Sequence, residues 1–192
     1  MIRKFLLVSA VSFSLLAPSA QAVVVHDEGI DGDLSGAFAM PDPLAIGNGD
    51  NTIIGQMGNN GDTGATNGQD ADYVSITLGA GQSITAITVD AFTFSPTNPG
   101  SSFFGYVAGA AFTGQANGDI DDFVLFNATS GDVLDDLAGG PLDGEGTWSF
   151  WLQETSDTVV DYELTFTVVP EPSAPLMLVI GVAGLLAARR RA

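Results

Sequence analysis

Tyr73-Val74-Ser75-Ile76-Thr77-Leu78 alternates without a break. Val74, Ile76 and Leu78 fall on one side of an extended chain and Tyr73, Ser75 and Thr77 on the other, the period-two signature of a half-buried β-strand. Gly79-Ala80-Gly81 then turns the chain. Working outward, the same kind of pattern recurs at Ser83 to Phe94, Ser102 to Val107, Phe123 to Asn127, Thr147 to Gln153 and Tyr162 to Val168. Trp148, Phe150 and Leu152 share a face, as do Tyr162, Leu164, Phe166 and Val168. No stretch between 23 and 169 carries a helical period, and the Gly- and Asn-rich span Asn48 to Gln69 reads as a long loop.

Many short strands and 24 glycines, spread mostly through turns, predict an all-β fold of two packed antiparallel sheets, a jelly-roll or Greek-key sandwich. A parallel β-helix is the competing all-β architecture, but its short regular repeat is missing. Residues 23–169 make one domain with a sizeable core. The chain has no cysteine, so packing or bound ions must hold it together.

Charge divides the 192 residues into three parts. All five basic residues lie at the ends: Arg3 and Lys4, then Arg189, Arg190 and Arg191. All 23 acidic residues fall from Asp27 to Glu171, giving a net charge of −18. Basic residues that flank apolar segments stay on the cytoplasmic side of a membrane, so the acidic middle is expected beyond it. Arg3 and Lys4, the apolar run Phe5 to Leu16 and Ala20-Gln21-Ala22 have the order of a signal peptide, residues 1–22, cut after Ala22. A buried core helix is the alternative reading, and the order of charge, apolar run and A-x-A argues against it.

At the other end, Pro170-Glu171-Pro172 precedes the uncharged stretch 174–188 and the arginines. A helix of about 15 residues rises about 22 Å, short of a hydrocarbon core of about 30 Å, so this transmembrane helix spans by thinning the bilayer or by arginine snorkelling. Residues 170–192 therefore read as a temporary hold. The two prolines make Val169 to Pro172 a stiff, non-helical strip expected at the membrane surface.

Pro-Glu-Pro, an apolar helix and a terminal arginine cluster, in a chain with an N-terminal signal peptide, resemble the PEP-CTERM sorting signal of Gram-negative bacteria. The resemblance implies processing by the membrane protease exosortase, with Pro170, Glu171 and Pro172 as the sorting motif and Arg189 to Arg191 as the cytoplasmic anchor. It further implies an inner-membrane precursor, then a product at the cell surface or in an exopolysaccharide-containing matrix.

A second resemblance lies in the middle. Asp70-Ala71-Asp72-Tyr73-Val74-Ser75-Ile76, Ala80-Gly81-Gln82-Ser83, Gly146-Thr147-Trp148-Ser149-Phe150 and Asp161-Tyr162-Glu163-Leu164 are similar to the bacterial pre-peptidase C-terminal domains. These are β-sandwich accessory modules of secreted enzymes. In that family an acidic N-terminal segment lies close to the Asp that opens a central strand. The resemblance therefore implies that Glu28, Asp31, Asp33, Asp70 and Asp72 share a calcium ion. Read from composition alone, carboxylates and Asn/Gly carbonyls suit calcium, but the same loops, including Asp119, Asp121 and Asp122, serve equally as hydrated surface. The EF-hand spacing is absent.

Catalysis finds little support. The one histidine, His26, lies close to the expected new N-terminus, and the span has no Cys, Lys or Arg to act as nucleophile, Schiff base or anion clamp. Asp62-Thr63-Gly64 resembles the aspartic protease signature but has no second copy to share a proton. A glycosidase needs only two carboxylates, so a secreted hydrolase stays as an alternative. A calcium-dependent carbohydrate-binding module is the other. Trp148 and Trp151 point to opposite faces, and Trp151 is the candidate for stacking on a sugar, core packing being the competing use. Nucleic acid is excluded by the lack of basic residues, and anionic polysaccharide is disfavoured unless calcium bridges it. The expectation is an exported, non-enzymatic cell-surface or matrix protein.

Overall fold

The structure, a computed structural model, describes residues 22–58, 70–96, 98–116 and 118–171. The expected signal segment through Ala20, the Asp62-Thr63-Gly64 turn, Pro172, the apolar stretch 174–188 and Arg189 to Arg191 lie outside the described residues. Among the described residues no helix is long and apolar enough to cross a membrane.

In chain order the elements are β1 (Val23–Asp27), α1 (Glu28–Asp31), β2 (Asp42–Leu44), β3 (Gly49–Gly58), β4 (Ala71–Leu78) and β5 (Gln82–Ser95). There follow β6 (Ser102–Ala108), β7 (Asp122–Phe126), α2 (Leu134–Ala138), β8 (Leu142–Asp143), β9 (Gly146–Gln153) and β10 (Val159–Pro170). They form two five-stranded sheets, β1-β3-β10-β5-β8 and β2-β4-β9-β6-β7. This is an all-β sandwich, and the strands expected from alternation are β4, β5, β6, β7, β9 and β10.

Three features differ from expectation. The sheets are mixed, because β1 pairs with β3, and β2 with β4, in parallel. A parallel pair needs a long crossover, and the chain between β1 and β3 supplies one by visiting the other sheet as β2. Second, the first part of the supposed loop Asn48 to Gln69 is the ten-residue strand β3. Its glycines and polar residues are made extended by ladders on both sides, to β1 and β10. Third, two short helices appear, too short to show a period. Asp27 caps α1 by accepting from the Gly29 N–H at 2.9 Å, and α2 buries Leu134 and Leu137 before Gly139 ends it at φ 70°.

The core lies between the sheets. Val74, Ile76 and Leu78 of β4 and Phe150 and Leu152 of β9 face Ile53 and Met57 of β3 and Leu164, Phe166 and Val168 of β10. β9 and β10 are the middle strands of their sheets. Phe150 and Phe166 join them edge to face, with ring centroids 5.2 Å apart.

The outer face of the second sheet is also covered. Tyr73, Ala71 and Trp151 are buried there with Phe112, and Phe38, Phe103 and Ile120 pack alongside. The loops carrying Phe38 and Phe112 are tied together by the Phe112 N–H to the Phe38 carbonyl at 3.1 Å. The β4 strand is thus buried on both faces rather than half-buried. Trp151 is 7 % exposed, with Tyr73 stacked on it at 5.5 Å and Phe103 at 4.6 Å. A sugar would have to displace these rings to reach it. Trp151→Ala is expected to cost about 3–5 kcal/mol of stability, read by urea unfolding; a solvent-facing platform would lose far less.

Candidate functional site

The acidic site begins with β4. Its alternation turns Val74 and Ile76 into the core, and Asp72, on the same side, must go in with them. Asp72 is 0 % exposed. Its Oδ2 accepts a hydrogen bond from the Tyr162 hydroxyl at 2.7 Å, a contact that runs from one sheet to the other. Its Oδ1 is buried without a hydrogen-bond partner among the described residues.

The N-terminal segment closes over this carboxylate. Glu28 opens α1 and clamps two distant backbones: Oε1 accepts from Leu34 N–H at 3.1 Å and Oε2 from Gln56 N–H, on β3, at 2.6 Å. One oxygen from each of Glu28, Asp33 and Asp72 lies within 4.8 Å of the other two. Asp33 is exposed and Glu28 half-buried, so the group is open to solvent on one side. Oxygens around a calcium ion at about 2.4 Å are separated by up to about 4.8 Å, so the spacing fits one shared cation.

Of the five residues expected to share an ion, three therefore come together. Asp70 is buried at 1 % exposure, and its charge acts on Asp72. Asp31 is used differently: its Oδ2 accepts from the Asp27 N–H at 2.9 Å and closes the α1 turn. The acids near residue 120 also hold loops. Asp119 accepts from Thr113 Oγ1 at 3.0 Å, and Asp121 from the Ala108 N–H at 2.6 Å.

Electrostatics sets Asp72 apart. Burial first, then the negative charges of Glu28, Asp70 and Asp33, push its carboxyl well above the ordinary value of 3.8, against the opposing hydrogen bond from Tyr162. Burial first, then the charges of Asp72, Glu28 and Asp70, also push the Tyr162 hydroxyl up, which keeps it a neutral donor. No Lys or Arg exists between residues 5 and 188 to offset this charge. A proton or an external cation can.

Two residues of the site carried no sequence signal. Tyr162 reads as a core aromatic, and Gly55 as a loop glycine. Tyr162 stands opposite Gly55 in the β3–β10 ladder, and a Cβ at Gly55 would collide with the Tyr162 hydroxyl and ring. The glycine is what lets the hydroxyl reach Asp72.

The sorting residues are at the far end of β10. Pro170 is the last residue of that strand and stands opposite Gln82 of β5. Glu171 N–H donates to the Gly81 carbonyl at 2.7 Å, and Ser83 Oγ donates to Glu171 Oε1 at 3.3 Å. The expected strip from Val169 is thus non-helical, but its described part belongs to the sandwich. Ala22 is exposed and immediately precedes β1.

The family model for the PEP-CTERM protein-sorting motif matches residues 168–191. Such signals are processed by exosortase at the membrane, and the motif marks this chain as an exosortase-targeted exported protein. No curated protein and no solved structure matches the chain.

Two outcomes are expected for the metal-free protein. Because Asp72 holds its proton more tightly when folded, the folded state binds more protons between 3.8 and its raised value. Stability therefore falls as pH rises through that window and is recovered on acidification. Asp72→Asn keeps an acceptor for Tyr162 and removes the charge, so it flattens this slope and raises the neutral-pH Tm by several degrees, at about 2–4 °C per kcal/mol. Gly55→Ala lowers Tm by a comparable amount or more, through the Tyr162 collision. Melting curves from about pH 4 to pH 8 read both.

Proposed function

We propose that this chain is an exported, non-enzymatic β-sandwich of the cell surface or extracellular matrix of a Gram-negative bacterium, whose fold is closed by calcium. The observation that carries the export reading is the sorting motif itself, continuous with strand β10. Residues 1–22 are assigned as a signal peptide cut between Ala22 and Val23, which is supported by β1 beginning at Val23. Residues 174–188 are assigned as the transient membrane helix and Arg189 to Arg191 as its cytoplasmic stop.

What supports calcium is the donor set. Glu28, Asp33 and Asp72 converge, Asp72 brings a buried oxygen without a hydrogen-bond partner among the described residues, and no Lys or Arg lies between residues 5 and 188 to pair with them. These three would hold the ion, with Asp70 adding charge. The ion would supply the positive charge that the domain lacks.

A non-catalytic role is supported by composition and by placement. His26 Nε2 donates to the Gly32 carbonyl at 3.0 Å in a turn near the N-terminus. Asp72, whose acidity is altered by burial, is itself fully buried. Contact with anionic exopolysaccharide is assigned to calcium bridging, since the sandwich has no cation of its own.

Intact-mass measurement of the extracellular product tests the export reading. The expected mass begins at Val23 and lacks Arg189 to Arg191; a cell-bound product that keeps the arginines overturns it. For calcium, a site of extracellular affinity at about 10 mM ion adds about 1–3 kcal/mol. The expected result is a Tm rise of several degrees that Asp72→Asn abolishes. Calorimetric titration showing no heat, with no Tm change, would remove calcium from the account.

A further inference from the structure

The sorting signal of an exported precursor is ordinarily pictured as a tail hanging from a finished domain. Here its first residues are part of the domain. The β3 ladder stops at Val168, opposite Gly49, but the β5 ladder continues through Val169 opposite Ser83 and Pro170 opposite Gln82. Proline has no N–H to give, and the next donor, Glu171 N–H, closes the run on the Gly81 carbonyl at 2.7 Å.

The receiving surface is rigid. Gln82 N–H donates back to the Gly79 carbonyl at 3.2 Å, and Gly81 holds φ 73°, a left-handed turn position that suits glycine. The Gln82 side chain braces the same turn, accepting from Gly79 N–H and donating to Asn48 Oδ1, both at 2.8 Å. Ser83, 3 % exposed, aims its hydroxyl at the Glu171 carboxylate. Glu171 is the charged residue of the motif, the group with which a processing enzyme can make its strongest polar contact. In the folded sandwich that group is already engaged.

A protease takes its substrate as an extended strand whose backbone groups pair with the enzyme. A segment whose backbone and carboxylate are held by its own sheet cannot offer them at the same time. We propose that Ser83 and the Gly79–Gln82 turn are positioning elements for processing: they hold Pro170 and Glu171 on the sandwich, and exosortase gains the motif only when this last pairing opens. The inference rests on the sorting reading above and adds a control exerted by the folded domain.

The test follows conversion of full-length precursor to product in an exosortase-containing host by pulse-chase. Ser83→Ala fits the same buried space and removes one hydrogen bond, and is expected to speed conversion about two- to tenfold. Ser83→Thr keeps the hydroxyl and the wild-type rate. A Gly-Ser pair inserted between Val169 and Pro170 moves an intact motif off the sheet and speeds conversion at least as much. Thr85→Ala removes a neighbouring β5–β10 contact, Thr85 Oγ1 to the Thr167 carbonyl at 3.4 Å, away from the motif, and leaves the rate unchanged.

If Ser83→Ala and the insertion are processed at the wild-type rate or more slowly, the inference is wrong. It is equally wrong if Thr85→Ala accelerates conversion as much as Ser83→Ala, because general loosening would then explain the effect. A wild-type chain that is never converted, and keeps Arg189 to Arg191, overturns the sorting reading and this control with it.

Discussion

A carboxylate buried in a domain without a single lysine or arginine is the constraint around which this sandwich is arranged. Asp72 lies within the core-facing pattern of β4 and cannot leave it without withdrawing Val74 and Ile76. Removing an ionised carboxylate from water costs several kcal/mol unless its charge is met. In most proteins an arginine or lysine meets it, and residues 5–188 hold neither. The chain instead adds further negative charge, bringing Glu28 and Asp33 to the same place. That is a poor way to stabilise a buried anion and a good way to attract a divalent cation, which gains from each carboxylate it touches. Among the described residues, hydrogen-bond relief for Asp72 comes from the Tyr162 hydroxyl, which links the two sheets at this carboxylate.

Topology makes the C-terminal part of the domain indispensable. Consecutive strands mostly alternate between sheets, so few contacts are local, and the middle strands, β9 and β10, are the last two to be made. Neither sheet is continuous until these strands are in place. Folds dominated by such distant pairings close slowly, because loop entropy is spent before the contacts reward it. The sandwich is therefore complete only when β10, whose last residues belong to the sorting motif, is in place.

The legible parts of this protein were those whose physics is local. Strict alternation announced β4, β5, β6, β7, β9 and β10, since each presents its apolar side to one core. β3 was hidden because glycine and asparagine carry no strand preference; its conformation is imposed by β1 and β10 on either side. The parallel edge strands were hidden because they are short and their partners lie far away in sequence. Tyr73 and Trp151 fell on the face that alternation assigns to solvent, and only the loops bearing Phe38 and Phe112 make that face an interior. The resemblance to pre-peptidase C-terminal domains grouped Glu28, Asp33 and Asp72 with Asp70, but it also drew in Asp31, whose carboxylate belongs to its own turn. The tail was readable as charge order, whereas its attachment to Gly81 and Ser83 is a pairing across almost ninety residues, which no local pattern encodes.

Strand β10 joins the two halves of the function. Tyr162, bound to Asp72, lies near its beginning, and Pro170 is its last residue; eight residues of strand separate them, roughly 27 Å. With the proposed ion at one end and the sorting signal at the other, both equilibria act on the same element. Any cation that stabilises Asp72 and Tyr162 favours a docked β10, and a docked β10 favours the ladder that continues to Glu171. By linkage the dependence is mutual: opening the signal end weakens the ion site to the extent that the strand behaves as one cooperative unit.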